Sequence, residues 1–370
     1  MPPALIAKVF RPDIWIITER RDQARDNGYC FFKYVKKEHP EQKIYYVIDF
    51  NGKDYNKIAP LDSIIQFDSW KHYYYFCLSS VHISAHVRGC IPSDNPFVKR
   101  VKRILGYRDV FIPHGVSYGV SEFCLAKYAD IDLFICCGKP EYDNILKNYG
   151  YKKKQVVLTG FPRLDNWYDI KVNHHQILIM PTWRLYIAQD PKVVFENTEY
   201  YKAYQSLINN PDLVRLLDSC NLKVVFYLHH EMQKYAESFR TNSQNIEVVY
   251  DYEIYDIQGL LKESVLLITD YSSVHFDFAY MGKPVLYYQF DREEFWEKQY
   301  RQTDFDAEKD GFGPVAYDQH QLVENLQKAY NDGFILQGDY EHRMKQFYTF
   351  CDNHNCERVY EAIKRIRNNG

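Results

Sequence analysis

Several side chains able to do phosphate or proton chemistry sit directly after apolar runs. His114 follows Phe111–Pro113 and precedes Gly115, a residue that permits close backbone approach or a positive φ. A neutral imidazole can take a proton from an attacking hydroxyl near pH 7, although a lone histidine after a strand also serves structural ends. His229 ends the run KVVFYL beside His230 and Glu231. An imidazolium there could stabilise charge on a leaving diphosphate; the plain alternative is a surface histidine pair. Arg184 closes MPTWR, and its guanidinium fork matches phosphate, or else pairs with a surface carboxylate. Thr269, Asp270, Tyr271, Ser272 and Ser273 form a polar turn between the apolar run Val265–Ile268 and a helix with Val274, Phe278 and Met281 on one face. A helix N-terminus with free N–H groups suits a diphosphate, while serine is also an ordinary cap. Asp270 and Asp277 read as loop orienters or hydroxyl binders, because a carboxylate beside phosphate repels it.

The stretch ITDYSSVHFDFAYMGKPVLYY resembles the signature of the CDP-glycerol glycerophosphotransferase family, enzymes that polymerise teichoic acids and related capsular polymers. FIPHG (Phe111–Gly115), TGFPRLD (Thr159–Asp165) and MPTWR (Met180–Arg184) agree with it in the family's order, so the resemblance spans roughly residues 110 to 315. The resemblance implies a GT-B fold, His114 as base, and His229 rather than the extra His230 beside the diphosphate. It also implies that Arg184, Ser272 and Ser273 hold the donor, with Thr269, Asp270 and Arg163 as further donor-side candidates. Arg163 and Asp165 are expected at an interdomain turn, to clamp the two halves or touch the donor. Glu19, Arg25 and Asn27, in TERRDQARDNG, resemble the family's less constant acceptor-side segment.

Bulk properties narrow the field. At 370 residues the chain exceeds the size at which one core usually splits, so two domains are expected. A net charge of −3 names no partner, and neither charge nor motif points to nucleic acid. The nine cysteines form no CxxC or zinc spacing and read as reduced thiols. No Walker loop or GxGxxG is present, and Asp304 and Asp306 (DFD) make only a weak DxD, so no obligatory metal or cofactor is expected. Met1–Phe10 is too short for a signal peptide, and apolar runs fall short of the roughly 18 residues of a spanning helix. A cytoplasmic protein is expected, with peripheral contact to the inner face of a bacterial plasma membrane through FVKRVKRIL. There Phe97, Val98, Val101, Ile104 and Leu105 stripe one helical face opposite Lys99, Arg100, Lys102 and Arg103.

The elements that must position these residues alternate strand and helix, which implies parallel sheets flanked by helices. Strands are expected at Ile14–Thr18, Ile44–Ile48, Ile64–Phe67, Val81–Ala85, Phe111–Pro113, Leu133–Cys137 and Val156–Thr159. A second series follows at Ile177–Met180, Val224–Leu228, Ile246–Val249, Val265–Ile268 and Val285–Tyr288. Helices are expected over Asp22–Glu38, Ser69–Leu78, Tyr200–Leu217, Gln321–Tyr330 and Tyr340–Ile366. The expected fold class is α/β and GT-B-like: two doubly wound Rossmann-like domains with an interdomain cleft. An acceptor-side domain would cover 1–165 and a nucleotide-donor domain 166–370, the last helix being free to pack back on the first. The expected activity is transfer of an alditol phosphate from CDP-glycerol or CDP-ribitol to a polyanionic polymer or lipid-linked acceptor, releasing CMP. The alternatives are a GT-B glycosyltransferase using a nucleotide sugar and an inactive polymer-binding homologue.

Overall fold

The computed structural model describes residues 12–92, 101–167, 172–250, 255, 257–299 and 305–368. The chain forms two compact units, one of Met1–Tyr168 with Phe347–Gly370 and the other of Asp169–Gln346. The first break thus lies at Tyr168 rather than 165, and the tail from Phe347 is counted with the first unit.

The first unit holds a sheet of β1 (Ile14–Thr18), β2 (Lys43–Ile48), β3 (Ile64–Gln66), β4 (Val81–Ser84), β5 (Arg108–Phe111), β6 (Leu133–Cys136) and β7 (Val156–Leu158). Its order is β3-β2-β1-β4-β5-β6-β7, and every pairing is parallel. The second unit holds β8 (Asn173–Ile179), β9 (Lys223–Phe226), β10 (Ile246–Val248), β11 (Ser264–Thr269), β12 (Val285–Tyr288) and β13 (Val315–Ala316), ordered β10-β9-β8-β11-β12-β13. These pairings are parallel too. Both orders reverse direction after the first strand of the unit, between β1 and β4 and between β8 and β11. Ligands of doubly wound sheets bind beyond the carboxyl ends of the strands at such a switch point. Strands buried on both faces explain why the runs in β1, β4, β6, β11 and β12 do not alternate.

Helices differ from expectation where local chemistry overrides the apolar pattern. Helix α1 (Asn27–Glu38) starts later than Asp22, because Asp54 accepts the Ala24 N–H and a bidentate Arg25 fork and keeps that segment extended. Asp26 then caps it. The run Tyr200–Leu217 is two helices, Glu199–Leu207 and Pro211–Cys220, since Pro211 disfavours helix at Asn210, whose side chain caps the second. Tyr340–Ile366 likewise divides, into Asp339–Phe347 and a C-terminal helix Asn355–Asn368. The strand expected at Phe111–Pro113 is β5, ending at Phe111; Ile112 still donates to the Ser84 carbonyl, and Pro113 has no N–H to continue. All nine cysteines are free thiols, and no helix among the described residues is long and apolar enough to cross a membrane.

The basic stripe FVKRVKRIL is described only in part. Residues 93–100, including Phe97 to Arg100, lie outside the described residues. Among the described residues of the stretch, Lys102–Leu105 is helical, ended by a left-handed Gly106. Lys102 pairs with Asp132 at 2.8 Å. Of its described apolar members, Val101 and Leu105 are buried in the first unit's core and Ile104 is exposed.

Candidate active-site elements in the two units

In the first unit, β1 leads into Glu19, which is buried and accepts the backbone N–H groups of Arg25 (2.9 Å), Asp26 (3.0 Å) and Tyr29 (2.7 Å). Its carboxylate therefore occupies the N-terminus of α1. Burial pushes its pKa up to about 7 and Asp26 adds to the rise, against those N–H donors. Gly28 makes the approach possible: a Cβ there would meet Glu19 Cγ at 2.9 Å. Asn27 is fully buried, donating to the Pro113 carbonyl at 2.7 Å and accepting the Arg163 N–H at 3.1 Å. Arg25 and Asn27 are thus tied to protein groups rather than presented to an acceptor.

Asn27 and Arg163 together fix the segment bearing His114. Arg163 is 4% exposed and donates to Asp26 Oδ1 at 2.9 Å and to the His114 carbonyl at 3.0 Å. Expected to clamp the two halves or touch the donor, Arg163 here holds a loop of the first unit. Asp165 accepts the N–H groups of Asn355 and Cys356, both at 2.8 Å, and so caps the C-terminal helix. The glycine that needs freedom is Gly160, at φ +79°, where a Cβ would fall 1.8 Å from Asn355 Oδ1; Gly115 is not among the positive-φ residues. On the other side, buried Glu141 accepts the N–H groups of Ser117 and Cys137, both at 2.6 Å, anchoring the chain after His114.

His114 itself is exposed at the strand ends. Partial desolvation and the charges of Arg163 and Arg20 lower its pKa, opposed by Asp26 and a bond to the Ala85 carbonyl, which keeps the ring neutral and basic near pH 7. Its ring lies 5.6 Å from that of His86, a neighbour the sequence reading missed. The signal existed: His86 follows β4 as His114 follows β5, in the run VHISAHVRG. Burial first, then His114 and Arg20, lower the His86 pKa to about 4.

In the second unit the switch point lies between MPTWR after β8 and TDYSS at the end of β11. Arg184 is completely buried, donating to Asp291 Oδ2 at 2.8 Å, Asp270 Oδ2 at 2.9 Å and the Thr182 carbonyl at 2.7 Å. Tyr200, Tyr271 and Phe295 stack around it, at 5.1, 5.2 and 4.7 Å. Burial works against its charge, but Asp270 and Asp291 outweigh that and hold the guanidinium ionised. The expectation that Arg184 grips phosphate is corrected, since its guanidinium is buried against two carboxylates and the Thr182 carbonyl. Asp291 is the partner that sequence reading missed. Asp270 also accepts the Thr182 and Tyr271 N–H groups at 2.8 and 2.6 Å, and is fully engaged in shaping the loop. Thr269 is spent too, its hydroxyl donating to the Met180 carbonyl at 2.7 Å.

What this framework leaves outward is the pair of serines. Helix α2 (Val274–Tyr280) is capped by Ser273, which is exposed and makes no side-chain capping bond. Ser272 Oγ only meets the Val274 N–H at 3.5 Å. His229 is half-buried, its ring stacked on Trp183 at 5.9 Å, and its Nδ1 accepts the Glu231 N–H at 3.3 Å; His230 is exposed and pairs with Glu231 at 2.9 Å. Trp183 therefore orients a histidine beside the switch point. Asp304 is outside the described residues, and Asp306 is engaged by Arg292 at 2.8 Å.

Comparison with known proteins adds independent findings. A family model described as CDP-Glycerol:Poly(glycerophosphate) glycerophosphotransferase matches residues 4–365. The minor teichoic acid biosynthesis protein GgaB of Bacillus subtilis (strain 168) is 33% identical, over 97% of this chain and 40% of that protein. A teichoic acid poly(glycerol phosphate) polymerase of Bacillus spizizenii is 31% identical, over 48% of this chain and 46% of its own length. The chain thus spans less than half the length of these relatives. Among solved structures, a variant of the wall teichoic acid polymerase TagF superposes with a TM-score of 0.71 at 15% identity, over 97% of this chain and 90% of that one. A putative UDP-N-acetylglucosamine 2-epimerase of Listeria monocytogenes gives 0.61 at 14% identity, over 97% and 98%. At such identities the likeness shows the fold alone, the GT-B-like α/β class expected from the sequence, and the second case shows how little a fold says about chemistry.

Proposed function

The chain belongs to the CDP-glycerol glycerophosphotransferase family, and on that premise we propose that it transfers an alditol phosphate, glycerol phosphate in the first instance, from a CDP-alditol to a growing teichoic-acid-like polymer. The acceptor is a polymer-end hydroxyl. His114 takes its proton, the freed oxygen attacks the β-phosphorus, and the bond from that phosphorus to the bridging oxygen breaks. CMP leaves with the electron pair and a phosphodiester forms. Ser272, Ser273 and the first N–H groups of α2 receive the donor diphosphate, and His229 adds a donor to the charge growing on CMP. Arg184, Asp270 and Thr269 act one layer behind, setting the shape of the loop that carries the serines. The observation that supports this reading most is the placement of Ser272 and Ser273 at the switch point of the second sheet, with Ser273 exposed and uncapped.

The test is incubation with CDP-glycerol or CDP-ribitol and a poly(glycerol phosphate) primer, followed by chromatography of the nucleotide and phosphorus NMR of the polymer. CMP with a new phosphodiester is expected. A nucleoside diphosphate and a glycosidic bond from a nucleotide sugar would instead make it a glycosyltransferase. Polymer binding with no nucleotide release would make it an inactive binding module.

A further inference from the structure

The switch point of the first sheet carries two basic groups for which the reaction above has no use. Thr18 of β1 is level with Ser84 of β4, and Ser84 with Phe111 of β5. Arg20 and His86 each lie two residues beyond that level, and His114 lies three beyond, so all three leave the same edge of three adjacent strands. We propose that Arg20 and His86 bind a phosphodiester group of the acceptor, next to the hydroxyl that His114 deprotonates. The inference rests on the phosphotransferase reading and adds where the acceptor's own charge is recognised.

The surroundings favour an anion at this lip. The other cations nearby are committed, Arg163 to Asp26 at 2.9 Å and Arg25 to Asp54 at 2.6 Å. Arg20 is exposed and enters no ion pair among the described residues. Its field reaches both imidazoles and lowers the pKa of each. The N-terminus of α1, where a doubly wound sheet would ordinarily seat a phosphate, is taken by Glu19, so an incoming anion is left to the side chains at the rim. His86 is held in place from behind: Ser84 Oγ donates to the His86 carbonyl at 2.6 Å and accepts the His86 N–H at 3.0 Å. Gly89 leaves room for that turn, since a Cβ would lie 2.1 Å from Ser84 Oγ. With ring centroids 5.6 Å apart, one polymer residue can offer its hydroxyl to His114 and its phosphodiester to His86 and Arg20. A bound phosphodiester would also raise the basicity of His114, because an adjacent negative charge favours the imidazolium.

Arg20→Gln, Arg20→Lys and His86→Gln are assayed with CDP-glycerol and two acceptors, oligo(glycerol phosphate) and free glycerol. Loss of a hydrogen bond to the charged phosphodiester, from the Arg20 guanidinium or the neutral His86 ring, is expected to raise the oligomer KM roughly tenfold to a hundredfold, with the donor KM unmoved and Arg20→Lys recovering part of the loss. The glycerol reaction, which has no phosphate to hold, should not share that change. An unchanged oligomer KM, or an equal loss with glycerol, overturns the proposal. In parallel, inorganic phosphate is titrated into each protein while the histidine ring resonances are followed by NMR. Phosphate should shift the His86 and His114 signals of the parent protein, and less so those of Arg20→Gln; unmoved signals in the parent overturn the subsite. That titration needs no turnover, so it separates failure of the subsite from failure of the phosphotransferase reading.

Discussion

In the first unit the helix that follows the opening strand receives a protein carboxylate, with Glu19 taking the N–H groups of Arg25, Asp26 and Tyr29. In the second, the helix after β11 begins at Ser273, whose hydroxyl caps nothing. Apart from a seventh strand in the first sheet, strand order is the same in both, and the two differ in what each puts at its helix termini and strand ends. The first unit fills its own anion site and presents imidazoles; the second leaves its site open and buries its ions beneath it. The two share one device, an internal arginine held by carboxylate: Arg163 by Asp26, and Arg184 by both Asp270 and Asp291.

The contrast can be broken most directly at His114. Replacing it with Ala should lower transfer by about 10²–10⁴ and leave the far-ultraviolet circular dichroism unchanged. Turnover near that of the parent at saturating donor would remove the imidazole from the chemistry. Next is Arg184→Ala, which leaves Asp270 and Asp291 buried without their counter-ion and should cost about 3–5 kcal/mol in urea unfolding. A variant of parental stability but poor donor affinity would instead return Arg184 to the phosphate.

Ser273→Ala sharpens the comparison from the open side. Donor use should fall by roughly 10²-fold if its hydroxyl meets the transition state, and CMP inhibition should weaken in parallel. Unchanged donor kinetics and unchanged CMP competition together would place the diphosphate elsewhere. The smallest effect is expected from Glu19→Gln. The folded pKa of Glu19, about 7, lies above the roughly 4.3 of an unfolded glutamate, so the folded state holds the extra proton between those values. Its contribution is complete below about pH 4.3 and is lost as pH rises through about 7, an effect on the order of 1–3 kcal/mol. Glu19→Gln should flatten that part of the stability profile, leaving the similar slope from Glu141, whose burial also pushes it up to about 7. An unaltered slope would show that Glu19 ionises freely.

Much of this was legible because strand runs and the punctuation after them are local. Val285–Tyr288 and Ile14–Thr18 were read at their observed bounds, and His114, Ser272 and Ser273 were singled out beyond strand ends, where the structure places them. Arg184, Arg163 and Asp270 show the limit. Nothing local in MPTWR tells whether a guanidinium faces solvent or a carboxylate such as Asp291, 107 residues later. His86 was missed for another reason: its neighbour His114 is far along the chain and close only through the β4–β5 pairing. The Tyr200–Leu217 break, by contrast, was written in Asn210-Pro211 and was overridden by the apolar period.

The capping of Asn355 and Cys356 by Asp165 joins positions 190 and 191 residues apart. Arg358 strengthens the same join by donating to the Thr159 carbonyl at 2.8 Å. A ribosome making this chain completes β1 to β7 and Asp165 and must then deliver 190 further residues before that clasp can begin to shut, on the order of ten to forty seconds at bacterial rates. For that interval the first sheet waits with its TGFPRLD loop unclasped, while the second unit is free to fold as an insertion within it. Nascent chains halted before Phe347 should therefore be the most vulnerable to chaperones and proteases at the very loop that holds His114 in register.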